Sequence, residues 1–233
     1  MTVRVLGADA CKRGWVGIVL DGDRVEAYFG ATIADLMAAA EAAGAVAVVG
    51  IDIPIGLPDK GSRAADRQAW AEAGVRRASV FMTPVRNALL AADHAGAVRL
   101  NRVEAGMGVS AQAYGLRTKI LEVDGWVRGQ DHRVGRRVVE VHPELSFAMM
   151  AGAPLRAGKT SWAGTESRRA LLADAGITLV GDLGAAGRMA RVDDVLDAGA
   201  AAWSARRVAA GAARCLPAEP EFFEDGLPAA IWT

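Results

Sequence analysis

Three short segments near the start of the chain favour β-structure and are separated by very short turns. They cover residues 4–9, 14–20 and 24–30, and the turns between them are rich in Gly, Asp and Lys, including Asp21-Gly22. Strands joined by turns of this length must run antiparallel. The sequence therefore predicts a three-stranded antiparallel meander, against which the rest of the chain has to pack.

A helix and a buried strand follow the meander. Thr32 precedes an alanine-rich stretch, Asp35 stands three residues further on, and Gly44 ends the stretch, which predicts a capped helix over 33–43. Residues 46–53 form a nearly continuous apolar run, which is typical of a strand buried on both faces. A right-handed crossover would place this strand beside the first one.

Beyond Pro54 the pattern becomes largely helical. Helices are predicted over 62–73 and 110–128, with an irregular stretch over 79–86 between them. A strand over 137–141, helices over 143–150 and 165–175, and a long last helix beginning at Asp193 complete the chain. No internal repeat or low-complexity linker interrupts it, so we expect one domain over 1–233 with an insertion at about 59–135.

Composition and charge exclude several classes of protein. Apolar residues make up 52% of the chain, which is incompatible with a disordered polymer. No apolar run reaches the roughly 18–20 residues that span a bilayer, and the start lacks a signal-peptide core, so no membrane partner is expected. Cys11 and Cys215 are far apart and form no disulfide framework, which favours a reducing cytoplasm.

Carboxylates stand where the predicted core elements begin or end. Asp9 closes the first strand, Asp52 lies near the end of the buried strand, and Asp194 and Asp197 are three residues apart in the first turn of the last helix. If the two strands are neighbours, Asp9 and Asp52 lie side by side, while Asp194 and Asp197 share one helix face. Converging carboxylates repel one another unless cations lie between them, and hard ions such as Mg²⁺ or Mn²⁺ suit oxygen ligands.

Each of these carboxylates also has a simpler interpretation. Asp9 is equally compatible with an ordinary turn aspartate. Asp193 suits the N-cap of the last helix, and Asp194 is favourable there through the helix dipole alone. Asp52 is harder to explain in this way, because a carboxylate inside an apolar run is costly unless it is paired or bound to metal. The evidence for a site therefore comes from the set of aspartates.

A second polar cluster follows the strand at 137–141. Strand alternation places Glu140 and His142 on one face, and Glu144 follows in the first turn after Pro143. His142 and Glu144 suit a general base pair or a further metal ligand. Alternatively, Glu144 is a charge at a helix N-terminus and His142 a hydrogen-bonded structural residue.

Basic residues of the middle of the chain are candidates for contacts with phosphate oxygens. They are Arg63, Arg67 and Arg86 in the insertion, Lys119 on the polar face of its helix, and Lys159 in a Gly-flanked loop. The alternative for each one is an ordinary solvated surface residue. No Gly-rich phosphate-binding loop is present in the sequence.

Several motifs resemble those of a known family. In chain order they are Gly7-Ala8-Asp9-Ala10-Cys11, Ile51-Asp52-Ile53-Pro54, Ser79-Val80-Phe81-Met82-Thr83-Pro84, Lys119-Ile120-Leu121-Glu122, Glu140-Val141-His142-Pro143-Glu144 and Asp193-Asp194-Val195-Leu196-Asp197. Together they resemble the DUF429 family, described as predicted nucleases of the ribonuclease H-like fold.

The resemblance implies a fold and a set of metal ligands. The fold would be α/β, with a ribonuclease H-like mixed five-stranded sheet, made of the meander plus parallel strands, flanked by helices and carrying a largely helical insertion. Asp9, Asp52, Asp194 and Asp197 would bind Mg²⁺ or Mn²⁺, with Glu144 as a possible fifth ligand. The spacing of Asp194 and Asp197 also looks like the paired aspartates on the last helix of Holliday-junction resolvases.

The leading functional hypothesis is a metal-dependent phosphodiester hydrolase that cleaves nucleic acid. Asp9 would bridge two cations about 4 Å apart, one activating water and the other stabilising the leaving oxygen. A rival hypothesis is a protein that binds a nucleotide or small phosphorylated ligand, because relatives of the implied fold include actin-like and sugar-kinase domains. A third is an interaction protein with a vestigial site.

Overall fold

A mixed β-sheet forms the centre of the protein. The computed structural model describes residues 3–129 and 136–233, and within them seven strands form one sheet. The strands are β1 (Val5–Cys11), β2 (Gly14–Asp21), β3 (Arg24–Gly30), β4 (Val48–Ile51), β5 (Arg137–Val141), β6 (Cys215–Phe222) and β7 (Pro228–Trp232). Their order across the sheet is β3-β2-β1-β4-β5-β7-β6.

The first half of the sheet has the pairing predicted from the sequence. β1 and β2 run antiparallel with Cys11 opposite Gly14, and β2 pairs antiparallel with β3. β4 lies beside β1 in parallel orientation, and β5 continues the parallel part of the sheet next to β4. The antiparallel meander and the placement of the buried strand next to the first strand are therefore confirmed.

The sheet has seven strands rather than the five expected. β7 pairs parallel with β5, and β6 forms the edge by pairing antiparallel with β7. β6 contains Pro217 and Pro220, which in a sequence argue against a strand. At the edge of a sheet a residue without a backbone N–H is tolerated, because only one side of the strand needs a partner.

Ten α-helices lie in the described part of the chain. They are α1 (Ile33–Glu41), α2 (Ala64–Glu72), α3 (Arg86–Leu89), α4 (His94–Ala105), α5 (Ala111–Gly115), α6 (Arg117–Arg128), α7 (Pro143–Ala151), α8 (Trp162–Asp174), α9 (Gly184–Met189) and α10 (Val192–Ala209). A 3₁₀ helix, Gly74–Ser79, follows α2. The segment between β4 and β5 is thus largely helical, as expected for the insertion, although part of it lies outside the described residues.

Several helix boundaries differ from the prediction. The helix expected over 110–128 is divided at Leu116 into α5 and α6, and α4 and α9 were not predicted. The capping box of α1 is confirmed, with Thr32 and Asp35 each accepting from the backbone of the other. α10 begins earlier than expected, so Arg191 occupies the N-cap position that the sequence assigned to Asp193.

The two faces of the sheet are covered by different helices. Alternate residues of β1 separate them, because Val5 belongs to the apolar core that contains α10, whereas Leu6 belongs to the core that contains α1 and α6. None of the helices in residues 3–129 and 136–233 is long and apolar enough to cross a membrane.

Glycines allow α10 to lie directly on the sheet. A Cβ atom at Gly7 would be 1.9 Å from the backbone N of Ala202, and one at Gly50 would be 2.7 Å from the carbonyl oxygen of Ala201. Both values are too short for real contacts, so only glycine fits at these two positions. Gly7 and Gly50 face each other in the β1–β4 register and bring both strands against the backbone of α10.

Candidate functional site

Three aspartates meet at one end of the contact that Gly7 and Gly50 allow between the sheet and α10. Asp9 lies two residues after Gly7 on β1, and Asp52 lies two residues after Gly50, so strand alternation points both towards α10. Asp197 comes from the second turn of α10. One carboxylate oxygen from each aspartate lies within 4.8 Å of the others. The convergence of Asp9, Asp52 and Asp197 that the sequence predicted is therefore present.

A lysine from a loop reaches the same place. The Nζ of Lys159 donates to Oδ2 of Asp197 at 2.6 Å. Oδ1 of Asp197 is buried and has no hydrogen-bond partner in the part of the chain that the structure describes. Asp197 as a whole is 2% exposed, so, among the residues that the structure describes, this oxygen is a buried acceptor left for a group that enters the pocket.

The aspartates hold protons unusually strongly. Burial raises the pKa of Asp52 to about 7, opposed by the positive charge of Lys159 and assisted by Glu144. Burial likewise raises the pKa of Asp197 to about 7, although Lys159 lowers it. For Asp9, burial together with the charges of Asp52 and Asp197 raises the pKa well above its ordinary value. The fully ionised triad therefore needs more positive charge than Lys159 supplies.

The pKa of Lys159 is also raised, which for a lysine favours the charged form. Burial lowers the pKa of Lys159, but the charge of Asp197, its hydrogen bond, and the charges of Asp9 and Asp52 raise it by more. The ammonium group is therefore held in its charged form. Lys159 is a permanent cation of this cluster.

Asp194 lies on the rim of the cluster. Its carboxylate accepts a hydrogen bond from the backbone N of Arg191 at 2.9 Å, and burial raises its pKa. Asp194 lines the same pocket as the three aspartates, but it contributes no oxygen to their 4.8 Å group. Asp193 pairs instead with Nε of Arg191 at 3.1 Å.

Glu144 is held by an arginine that the sequence analysis missed. Nη2 of Arg168 donates to Oε1 of Glu144 at 2.7 Å and to Oε2 at 2.8 Å. Arg168 comes from α8 and is completely buried. Its signal in the sequence is its position four residues before Leu172, on the apolar face of α8. Both oxygens of Glu144 are thus engaged, although Glu144 also lines the pocket.

His142 and Glu140 differ in their hydrogen-bond partners. Nε2 of His142 lies 3.5 Å from the carbonyl oxygen of Ser79, whereas Nδ1 is buried and has no partner among the described residues. Burial lowers the pKa of His142, which favours the neutral imidazole. Glu140 accepts from the backbone N of Ile55 at 2.8 Å and pairs with Arg63 at 2.5 Å. Burial nevertheless raises the pKa of Glu140 to about 7.

Most of the basic residues that were predicted to contact phosphate lie outside the pocket that contains the aspartates. Arg63 is fully buried between Glu140 and Asp66, so it presents no surface to a ligand, contrary to expectation. Arg86 is engaged by Asp124 and Asp225.

The remaining basic candidates divide between the surface and the pocket. Arg67 is exposed and donates to Ser62. Lys119 lies over the ring of Trp15 and pairs with Glu122 at 3.2 Å. Among the five basic residues proposed from the sequence, Lys159 is the one that lines the pocket with the aspartates.

The aspartates form one wall of a pocket of about 250 Å³. The segment between β4 and β5 also lines the pocket, through residues that include Phe81, Gln112 and Leu116. The chemical capacity of the site follows from its donors. Three converging carboxylates, one of them with a free buried oxygen, fit the all-oxygen coordination of a hard divalent cation such as Mg²⁺ or Mn²⁺.

Fold and site together define a mixed α/β protein in which a sheet and its longest helix bring three aspartates and a lysine into one pocket. Comparison with models of known families matches residues 7–222 to the family described as "Protein of unknown function (DUF429)". The chain belongs to this family, as its motifs indicated. No curated protein and no solved structure matches the chain.

Proposed function

We propose that this protein is a Mg²⁺- or Mn²⁺-dependent phosphodiester hydrolase that acts on nucleic acid. The observation that carries the proposal is the meeting of Asp9, Asp52 and Asp197 within 4.8 Å, from two parallel strands and a helix. A divalent cation bound by these residues would activate water for attack and stabilise the leaving oxygen.

The order of the strands supports the same proposal. The first five strands, in the order β3-β2-β1-β4-β5, combine an antiparallel meander with parallel strands. That is the arrangement expected of a ribonuclease H-like sheet, and we propose that this sheet is one, with β7 and β6 added at its edge.

The unpaired Cys11 and Cys215 support a location in the reducing cytoplasm.

The residues of the pocket have separate roles in this proposal. Asp9 and Asp52 would hold the cation from the sheet, and Asp197 would hold it from α10. Asp194, on the rim, is available to an outer water molecule or to the substrate. His142 is neutral, and its Nδ1, which has no hydrogen-bond partner among the described residues, can accept a proton. Lys159 supplies positive charge for a phosphate group.

A cleavage assay with matched variants tests the proposal. Purified protein is incubated with single-stranded, double-stranded, hybrid and branched nucleic acids in Mg²⁺, in Mn²⁺ and in EDTA. We expect cleavage with metal only, and a loss of at least about 100-fold in Asp9→Asn, because a ligand matters at least as much as the groups that support ligands. Asp23→Asn, which removes an exposed aspartate from the β2–β3 turn, is the control. Equal cleavage by Asp9→Asn would refute the mechanism.

The size of the pocket favours a second candidate function. At about 250 Å³ it is close to the roughly 300–1,000 Å³ typical of small-ligand sites. A protein that binds a nucleotide or a small phosphorylated ligand would fit such a pocket. Saturable binding of nucleotides in calorimetry, with no cleavage of any of the four polymers, would favour this candidate over the hydrolase.

A further inference from the structure

The charges around the pocket fall into separate pairs. Glu144 has Arg168 as its own buried guanidinium partner, and Glu140 has Arg63. Asp9, Asp52 and Asp197 have no arginine partner within the described residues, and the cation that reaches them is Lys159. When ionised, the three carboxylates of this triad together with one ammonium leave two negative charges, which a single divalent cation balances.

Lys159 is placed by the fold of its loop. Its carbonyl oxygen accepts from Oγ1 of Thr165 at 3.1 Å, and the backbone N of Ser161 closes a turn onto Gly158 at 3.0 Å. These bonds anchor the loop to the start of α8. The ammonium is thus positioned at Oδ2 of Asp197 before any ligand arrives, while Oδ1 is left free.

We propose that Lys159 takes the place of a second metal ion, so that the site binds one divalent cation. The cation is held by Asp9, Asp52 and the free Oδ1 of Asp197, and the ammonium of Lys159 remains on Oδ2. This inference rests on the metal site of the proposed function and replaces the expectation of two cations.

Electrostatic repulsion is the physical reason why Lys159 would exclude a second metal ion. A second ion would need further oxygens of the same carboxylates, and Lys159 already occupies one of these, Oδ2 of Asp197. Charges a few ångströms apart in a partly buried site interact with an effective dielectric constant of about 20, so an ammonium strongly opposes a neighbouring divalent ion. Two divalent cations together with the ammonium would also outweigh the three carboxylates of the triad by two positive charges.

Titration of metal-free protein with Mn²⁺, followed by calorimetry and by electron paramagnetic resonance, tests the proposal without reference to activity. We expect one Mn²⁺ per wild-type chain. In Lys159→Met we expect either a second bound ion or an affinity higher by about tenfold or more, because the competing charge is gone. Lys159→Arg keeps the charge and should bind one ion. Lys60→Met removes a positive charge from an exposed position and should behave as the wild type.

The outcomes separate this inference from the proposed function. Two ions in the wild type, or one ion bound by Lys159→Met no more tightly than by the wild type, would overturn the role of Lys159. One ion per wild-type chain together with tighter binding by Lys159→Met, but no cleavage of nucleic acid, would support that role and refute the hydrolase. Circular dichroism verifies folding, and Lys159→Gln replaces Lys159→Met if the latter does not fold.

Discussion

Replacing Arg168 by Met should destabilise the protein strongly, although Arg168 contacts no proposed metal ligand of the triad. Its guanidinium is fully buried, donates twice to Glu144, and also donates to the carbonyl oxygens of Gly164 at 3.0 Å and Ala157 at 3.3 Å. The substitution keeps the length of the apolar stem but leaves Glu144 buried without its counter-charge.

The expected magnitude follows from this burial. Removing one partner of a buried ion pair typically costs about 3–5 kcal/mol, because the remaining charge stays desolvated. A domain has a total stability of about 5–15 kcal/mol, so the variant should still fold but with much of its margin lost. With a urea m-value of about 2.5 kcal/mol/M, the unfolding midpoint should fall by about 1–2 M.

Urea unfolding followed by circular dichroism measures this loss, and a double variant controls for its cause. Glu144→Leu with Arg168→Met removes both charges, so it should recover much of the stability that Arg168→Met alone loses. A loss below about 1 kcal/mol in Arg168→Met would refute the reasoning, because it would mean that Glu144 is solvated or neutral.

Two further predictions concern pH and packing. The metal-free protein should lose stability as pH rises from about 4 to 7, because Asp52 keeps its proton up to about pH 7 in the folded state but only up to about pH 3.9 in the unfolded state. The melting temperatures at pH 5 and pH 8 should therefore differ less in Asp52→Asn than in the wild type. An unchanged difference would contradict this prediction. Gly7→Ala should lower the free energy of unfolding, measured with urea, by at least about 3 kcal/mol, because its Cβ would overlap the backbone of Ala202. Gly125→Ala, in open space on α6, should instead raise the free energy of unfolding by about 0.5–1 kcal/mol. Equal effects of the two substitutions would contradict the close packing at Gly7.

The part of the fold that the sequence predicted well is the part determined by local chemistry. The β1–β2 turn, the capping box of Thr32 and the apolar run that becomes β4 are each contained within a few neighbouring residues. β6 was missed because Pro217 and Pro220 weaken its local signal. β7 was missed because its pairing with β5 on one side and with β6 on the other depends on tertiary structure.

The candidate site likewise contains residues that the sequence predicted and contacts that it did not. Asp9 and Asp52 were predictable because they lie near the ends of neighbouring parallel strands, and Asp197 because its spacing places it on one helix face with Asp194. The bond from Lys159 to Asp197 and the burial of Arg168 against Glu144 join elements that are distant in sequence, so no spacing predicts them. For the same reason Arg63 looked like a surface cation although it is an interior one.

The absence of side chains at Gly7 and Gly50 has a consequence for which ion the site prefers. Because backbone lies against backbone there, the distance between the sheet and α10 is fixed at its minimum, and the three aspartates cannot easily move apart. Mg²⁺ bonds to oxygen at about 2.0–2.1 Å, whereas Ca²⁺ needs about 2.3–2.6 Å and more ligands. We therefore expect the two glycines to act as the determinants of ion size, favouring small ions over Ca²⁺ without contacting either.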